Sequence, residues 1–300
     1  MSVESVAYRQ HFRHWSKQTL ERVLLGGAGV ARLGRGWRKD TIVFAYHNIV
    51  PDGGTAAGEQ SLHLPQRAFA AQLDVLCRTH EVIPLAEVLR AQRVGAGRPR
   101  AVITFDDAYR GAVTAGVEEL AERQLPATIF VAPAFIPGRT FWWDVYAHDG
   151  LLSTDLRQIA LSEHEGRDGR VRAWAQRSGL GEVELPAHAH AASREELTAA
   201  AAVPGITLGS HTWSHCNLAR VRLGDAEHEL RASKAWLEER YDSAVPWLSY
   251  PYGSSTPEVE AVASELGFVG AVRIEGGWVR SGWKRPFALP RLNVASGLSG

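Results

Sequence analysis

One stretch constrains the chain more than any other: residues 101–111, AVITFDDAYRG, in which an apolar run leads directly into two adjacent carboxylates. Val102 to Phe105 have the composition of a buried strand, and a segment of helical character follows. In parallel α/β proteins the carboxyl ends of strands face the ligand crevice, so Asp106 and Asp107 lie where chemistry takes place. Because neighbouring residues of an extended chain point in opposite directions, we expect the two acids to have different roles. A helix cap plus a solvated acid is the alternative interpretation.

A second cluster of polar residues follows another short apolar run, in residues 206–215, ITLGSHTWSH. His211 and His215 are four residues apart, which puts both imidazoles on one face of a helical turn. Two His and one Asp with an open fourth position are typical of a catalytic zinc site. Paired surface histidines are also common, so the prediction depends on the two clusters occurring together on two strand ends.

A third apolar run, residues 247–253 (WLSYPYG), ends in an aromatic turn around Pro251. In chain order, the motifs TFDD, SHTWSH and SYPYG resemble those of the polysaccharide deacetylase family, carbohydrate esterase family four. The similarity extends over roughly residues 41–294. It implies a distorted (β/α) barrel, a divalent metal ion, and hydrolysis of an N- or O-acetyl group from a sugar.

The composition is that of a globular protein with one large domain. The chain has 300 residues, 45% of them hydrophobic, and a formal net charge of zero, which argues against a dedicated nucleic-acid binder. Strand candidates, among them residues 41–46, 81–85 and 287–294, alternate with helix candidates such as 65–80 and 85–93. This alternation predicts an α/β fold, a barrel of seven or eight strands over residues 41–300. Cys77 and Cys216 have no metal-type spacing, and Cys216 is expected to be a buried free thiol.

Two segments lie outside this barrel pattern. Residues 1–40 form a predicted helical extension with eight Lys or Arg against three acids. It has no clear signal peptide and no run long enough to span a bilayer, so a cytoplasmic location is expected. The extension either lies on an anionic membrane surface or a partner, or packs against the barrel. Residues 147–203 are a predicted helical insertion, with histidines expected at the surface: His148, His164, His188 and His190.

The resemblance, together with ordinary metal chemistry, assigns roles to the motif residues. Asp107, His211 and His215 would hold a metal ion that activates a water molecule; zinc is the default, with cobalt, nickel or iron as alternatives. By the role the family gives to the first Asp of the pair, Asp106 would be the general base. The backbone N–H of Tyr252, beside Pro251, would stabilise the oxyanion.

Aromatic residues after a later strand candidate have two interpretations. Trp142 and Trp143 follow the predicted strand at residues 127–132. Indole rings at a strand end can form a platform for a sugar ring, but they can equally be core residues of the insertion.

Two positions depart from the family pattern. Many members have an Arg two residues before the proline of the third motif, where this chain has Ser249, and many have a late catalytic His, where this chain reads Leu-Pro-Arg-Leu-Asn at 289–293. Some exopolysaccharide deacetylases instead have an early Tyr-His and lack the late His. On that likeness, His47 is the hypothetical general acid and Arg291 the partner of Asp106. A purely structural hydrogen bond is the alternative for His47.

Three functions from different classes are compatible with these residues. The leading one is metal-dependent removal of N-acetyl groups from an acetylated glycan, such as an exopolysaccharide or its precursor. The second is an O-acetyl esterase, which would use the same site with another leaving group. The third is a non-catalytic glycan-binding protein, and Asp106 argues against it because a binding module needs no base beside its metal.

Overall fold

The computed structural model describes residues 40–90 and 97–294. Eleven strands lie in this part of the chain: β1 (Thr41–Tyr46), β2 (Asn48–Val50), β3 (His63–Pro65), β4 (Glu81–Val82), β5 (Arg100–Phe105), β6 (Ala127–Val131), β7 (Ile206–Ser210), β8 (Ala244–Ser249), β9 (Gly270–Val272), β10 (Trp278–Val279) and β11 (Leu292–Asn293). Its α-helices are α1 (Gln66–Thr79), α2 (Val117–Glu122), α3 (Trp142–Val145), α4 (Thr154–Ser162), α5 (Asp168–Arg177), α6 (Arg194–Ala201), α7 (Leu223–Glu238) and α8 (Pro257–Glu265).

Nine strands form one curled sheet with the hydrogen-bonded order β10-β1-β5-β6-β7-β8-β9, while β11 pairs with β1 and β4 with β5. The pairs from β1 through β9 are parallel, and β10 alone among them runs antiparallel, against the start of β1. Strands β2 and β3 form a separate parallel pair. This architecture confirms the predicted distorted (β/α) barrel.

The last segment of the described chain joins the two edges of the curled sheet. Leu289 pairs with Val272 at the end of β9, and three residues later Leu292 pairs with Phe44 of β1. Arg291 lies between these two pairings, with 1% of its surface exposed. This closing segment, residues 289–294, therefore places the Arg291 side chain inside the barrel.

The buried sequence patterns explain why these elements form. Every residue of β1 is buried, as expected of a parallel strand covered on both faces. Helix α1 buries Phe69, Leu73 and Leu76, a spacing of four and three that gives one apolar stripe against the sheet. The helix predicted over residues 65–80 is thus confirmed almost to the residue.

Several predicted elements differ in extent. The strand expected at 81–85 is only Glu81–Val82, and the strand expected at 287–294 is only Leu292–Asn293. The short helix expected at 85–93 is a single 3-10 turn at Leu85–Glu87, and residues 91–96 lie outside the described part. Both strand candidates contain a proline, Pro84 and Pro290, and a proline has no N–H to donate to a sheet, which limits the length of these strands.

The two segments outside the barrel pattern differ in what can be described. The extension predicted for residues 1–40 lies outside the described residues except for Asp40, so its membrane contact stays a prediction. In the segment 147–203 the described elements are the helices α4, α5 and α6 and one 3-10 turn. None of the described helices is both long enough and apolar enough to cross a bilayer.

Candidate active site

The three motifs meet at the carboxyl ends of β5, β7 and β8, next to the end of β1. Tyr46 is paired with Phe105, and the Asp106 N–H donates to the Tyr46 carbonyl, so His47 and Asp106 leave their strands side by side. The backbone at these ends is unusual. Of the eight non-glycine residues with positive φ in the described chain, five lie here: Asp107, Ala108, Thr212, His215 and Tyr252. Such conformations cost about 1–3 kcal/mol each and are concentrated at functional sites.

The Asp and His clusters converge on one point. His215 Nε2 lies 3.1 Å from Asp107 Oδ1, and His211 Nε2 lies 3.4 Å from the same oxygen. The ligand atoms of Asp107, His211 and His215 all lie within 4.8 Å of one another, and all three residues are buried. The helical turn predicted for 211–215 is wrong, because Thr212 and His215 have φ of 64° and 57°, outside the helical region. The imidazoles are brought together by this irregular loop.

The donor chemistry of this triad fits a divalent metal ion. His211 Nδ1 donates to the Ser249 carbonyl over 2.8 Å, which leaves the lone pair of the ring on Nε2, facing Asp107. Within the described chain, Asp107 Oδ1 has no hydrogen-bond donor despite its burial and its two close nitrogen neighbours. Two imidazole nitrogens and a carboxylate oxygen that converge in a buried site are an arrangement that a bound cation satisfies. Two nitrogens and one oxygen are a ligand set suited to zinc.

Asp106 has a different environment from Asp107. The Arg291 guanidinium binds it with two parallel hydrogen bonds, Nη1 to Oδ1 at 2.8 Å and Nη2 to Oδ2 at 2.6 Å. Burial raises the pKa of Asp106, but the charges of Arg291 and His211 and the Arg291 hydrogen bonds outweigh burial and lower it to about 2. His211 Nε2 is 4.0 Å from Asp106 Oδ2, so this second carboxylate lies beside the triad without joining it.

The remaining donors of Arg291 are also bound. Nη2 donates to Ser249 Oγ at 2.8 Å, Nη1 to Thr104 Oγ1 at 3.0 Å, and Nε to the Arg273 carbonyl at 3.3 Å. At Ser249, where the resemblance noted in the sequence leads one to expect an Arg, the serine instead binds Arg291. The sequence pattern offered no signal for Thr104 or Ser249 as partners of Arg291, because strand packing alone brings them together.

His47 lies between β1 and β2 and is buried. Burial lowers the pKa of His47 below its ordinary value of 6.5, and the charges of Asp107 and Asp106 offset part of that effect. No described residue forms a hydrogen bond with His47 Nδ1. The structural hydrogen bond considered as the alternative for His47 is therefore absent at that nitrogen, and the ring stands near the two acids.

Trp143 and Tyr252 pack against the ring of His215, and Trp142 binds Tyr252. The His215 ring centroid lies 4.6 Å from that of Trp143 and 4.7 Å from that of Tyr252. Trp142 Nε1 donates to the Tyr252 hydroxyl over 3.3 Å. These aromatic contacts restrict the position of the His215 ring.

The burial of both tryptophans favours the core interpretation over a sugar platform. Trp142 is 1% exposed and Trp143 is 5% exposed, so neither presents an open indole face to a ligand. Both belong to the large hydrophobic core, which was the alternative interpretation. Pro251 is also buried, and it begins the turn in which Tyr252 has a φ of 58°.

A barrel that presents two imidazoles and one carboxylate beside a separate, arginine-bound acid is typical of enzymes that cleave acyl bonds with a metal ion and water. A model of the polysaccharide deacetylase family matches residues 93–271. This range is more than half of the 300 residues, and the chain belongs to the polysaccharide deacetylase family. It is accordingly a hydrolase that deacetylates a glycan.

Solved structures share the fold. The Streptococcus pyogenes deacetylase PplD, in complex with acetate, is 16% identical, with a TM-score of 0.58 over 87% of this chain and 94% of that chain. IcaB from Ammonifex degensii is 18% identical, with a TM-score of 0.60 over 85% and 92%. A de-N-acetylase from Aggregatibacter actinomycetemcomitans is 12% identical, with a TM-score of 0.58 over 87% and 97%. A comparison with curated proteins gives no match.

Proposed function

We propose that this chain is a metal-dependent N-deacetylase that acts on an acetylated amino-sugar polymer or its precursor. The observation that carries the proposal is the pairing of a converging Asp107, His211 and His215 triad with a second carboxylate, Asp106, held by Arg291. A glycan-binding module would need no such second carboxylate. Removal of an N-linked rather than an O-linked acetyl group is favoured by the similar fold of the Aggregatibacter de-N-acetylase.

The triad residues would hold the ion through Asp107 Oδ1 and the two Nε2 atoms. When bound, a divalent ion such as zinc polarises the acetyl carbonyl and acidifies water. The hydrogen bond to the Ser249 carbonyl keeps the His211 proton on Nδ1, so His211 Nε2 is free to bind the ion. Burial raises the pKa of Asp107, but the two imidazoles outweigh it and keep that pKa well below its usual range.

Asp106 takes the proton from the attacking water. Its two oxygens are oriented by the guanidinium fork of Arg291, so the carboxylate cannot rotate away from the site. With a pKa of about 2, Asp106 enters the reaction as the carboxylate at neutral pH. Its burial, at 1% exposed, limits competition from bulk solvent for the same lone pairs.

His47 supplies the proton to the leaving amine in this proposal. A pKa below 6.5 makes the imidazolium a stronger acid, which favours proton transfer once the ring is charged. The Tyr252 backbone N–H, in a turn fixed by the side chain's contacts with Trp142 and His215, would stabilise the oxyanion. His47→Ala should slow substrates with poor leaving groups more than those with good ones. Equal, near-normal turnover of both would refute the acid role.

Acetate release tests the function directly. The substrates are N-acetylglucosamine oligomers and a generic acetyl ester, assayed with chelated protein, zinc-restored protein and Asp106→Asn. Amide hydrolysis that is lost with zinc and with Asp106 supports the proposal. Hydrolysis of the ester alone would make the enzyme an O-acetyl esterase, and zinc binding without any hydrolysis would favour a binding protein.

A further inference from the structure

A buried polar network centred on Asp144 lies behind the site and has no part in the chemistry described so far. The Asp144 carboxylate accepts from His63 Nε2 at 2.9 Å, from the Glu59 backbone N–H at 2.9 Å and from the Tyr109 hydroxyl at 2.6 Å. The Tyr109 oxygen in turn accepts from Trp143 Nε1 at 2.8 Å. Asp144 and Tyr109 are 0% exposed, and His63 is 1% exposed.

The hydrogens of this network are accounted for in one arrangement. Asn48 Nδ2 can only donate, and it lies 2.8 Å from His63 Nδ1 and 3.2 Å from His188 Nδ1. The ring protons of both histidines are therefore on Nε2, from which His63 donates to Asp144 and His188 to the Thr55 carbonyl at 3.0 Å. His188 is 8% exposed, so the surface position predicted for it is wrong. Each of these donors thus has an acceptor, while Asn48 Oδ1 accepts no hydrogen bond from the described residues. A network whose donors are paired in one arrangement holds its members in one geometry.

One end of the network reaches the proposed metal ligands. Tyr109 follows Asp107 by two residues, so its anchored hydroxyl fixes the chain just after that ligand. Trp143, whose indole N–H is bound by Tyr109, packs against the His215 ring with centroids 4.6 Å apart. Asp144 thus binds Tyr109, two residues from Asp107, and through Tyr109 it holds Trp143, which contacts His215.

The other end reaches the proposed proton donor. Asn48 directly follows His47, and its amide is the donor to both histidines of the network. The fit there is close: a Cβ at Gly111 would lie 2.0 Å from the Ile49 carbonyl oxygen and 2.4 Å from Asn48 Oδ1. The network therefore extends from the strand ends that carry the metal ligands to the strand end that carries His47, the proposed proton donor.

Asp144 is an unusual residue to bury for stability alone. No arginine or lysine of the described chain forms an ion pair with it, and a buried carboxylate without a cation is costly unless several donors surround it. The backbone at Gly58 also packs closely against this carboxylate, since a Cβ at Gly58 would lie 2.5 Å from Asp144 Oδ1. Both observations favour a role in function.

We propose that Asp144 is a positioning residue of the active site, acting through Tyr109 and Trp143 on Asp107 and His215. Asp144 sets the geometry in which the triad binds its ion, and it also sets the position of His47, the proposed proton donor. This inference rests on the proposed function only in taking the triad as a metal site. It identifies no new contact with substrate.

The test compares Tyr109→Phe with Tyr146→Phe. The first removes the hydroxyl that links Asp144 to Trp143, whereas the second removes an equally buried ring's hydroxyl that binds Glu182, away from the triad. Zinc Kd is measured by competition with a chromophoric chelator, alongside kcat, KM and Tm. Tyr109→Phe should raise the zinc Kd and lower kcat by about 10- to 100-fold with KM nearly unchanged, as is typical of partners behind metal ligands. Tyr146→Phe should change either quantity less than about twofold.

A second pair uses Asp144→Asn, with Asp168→Asn as the control for losing a buried acid. Asp168 pairs with Arg172 at 2.9 Å in the same segment of the chain and touches no triad residue. If Tyr109→Phe and a folded Asp144→Asn lower Tm but keep the wild-type zinc Kd and kcat, the role is structural and the inference is overturned. If Asp144→Asn does not fold, Tyr109→Phe decides alone. Wild-type protein that binds zinc but releases no acetate would contradict the proposed function only, and protein that binds no zinc would overturn both.

Discussion

Asp106 and Asp107 are neighbours in sequence and end the same strand, yet the two sides of this strand end offer them opposite partners. On one side, Arg291 donates two hydrogen bonds to Asp106, and its remaining Nη protons go to the hydroxyl oxygens of Thr104 and Ser249. On the other side, Asp107 faces two imidazole nitrogens at 3.1 and 3.4 Å. One carboxylate accepts two hydrogen bonds from a guanidinium, and the other faces two imidazole nitrogens.

This difference shows that the roles of two identical side chains are decided by their partners. The extended chain turns the two carboxylates apart, and the positive φ of Asp107 turns the second one towards the histidines. A carboxylate that is oriented by hydrogen bonds, such as Asp106, can act as a base. A carboxylate that faces two imidazole nitrogens, such as Asp107, can bind a metal ion together with them. Variants that exchange or remove the partners should therefore separate metal binding from catalysis.

Replacing Asp107 with Asn should have the largest effect. The amide lacks the charge that attracts a divalent ion, and its NH₂ group can turn towards the imidazole lone pairs. We expect zinc content to fall to background and acetate release to become undetectable. Elemental analysis after dialysis and an acetate assay measure these losses. A variant that keeps stoichiometric zinc would contradict the division between the two acids.

Asp106→Asn should keep the metal and lose the reaction. The triad atoms are untouched, so the zinc Kd should stay within about threefold, while loss of a general base lowers kcat by about 10²–10⁴-fold. Zinc competition titration and steady-state kinetics on one protein batch give both numbers. Loss of zinc together with activity would mean that Asp106 also ligates the ion.

Arg291→Met tests how much the pairing of Arg291 with Asp106 contributes to the free energy of unfolding. Removing one partner of a buried pair leaves an uncompensated charge and costs about 3–5 kcal/mol. Urea unfolding of chelated protein should show this loss. The double variant Arg291→Met with Asp106→Asn should regain part of it, because the buried charge is then gone as well. If the double variant is as unstable as Arg291→Met, packing of the long side chain matters more than its charge.

The parts of the fold that were predicted from sequence are those with a local cause. The run Thr41–Tyr46 has an apolar centre and forms β1, and the apolar stripe of residues 69, 73 and 76 forms α1. The antiparallel strand Trp278–Val279 was not predicted, because its pairing with Thr41 and Ile42 depends on partners far along the chain. Local patterns therefore predict the strands and helices of the barrel better than the pieces that close it.

The candidate site divides in the same way. Family motifs led to Asp107, His211 and His215, and the geometry brings these three together. Spacing predicted a helical turn for 211–215, but the left-handed backbone at Thr212 has no signature in the residue pattern. The Asp144 network was also not predicted, because its histidines at 63 and 188 are far apart in the chain and share no motif.

The smallest effect is expected at His80, a buried titratable residue with no opposite charge beside it. His80 is a control for Asp106, whose buried charge has a partner of opposite sign. His80 is 6% exposed; burial lowers its pKa from 6.5 to about 4, and the charge of Arg98 acts in the same direction. Above pH 6.5 neither the folded nor the unfolded state binds the proton. As the pH falls from 6.5 towards 4, only the unfolded chain takes it up, so stability is lost over that interval.

His80→Gln removes this titration and should reduce the loss of unfolding free energy between pH 7 and pH 5 by about 1–2 kcal/mol. Urea unfolding at the two pH values, with wild type in parallel, measures the difference. An unchanged pH dependence would mean that water reaches His80 and that burial alone does not set its pKa. The contrast with Asp106, where a guanidinium outweighs burial, would then rest on solvent access as well as on charge.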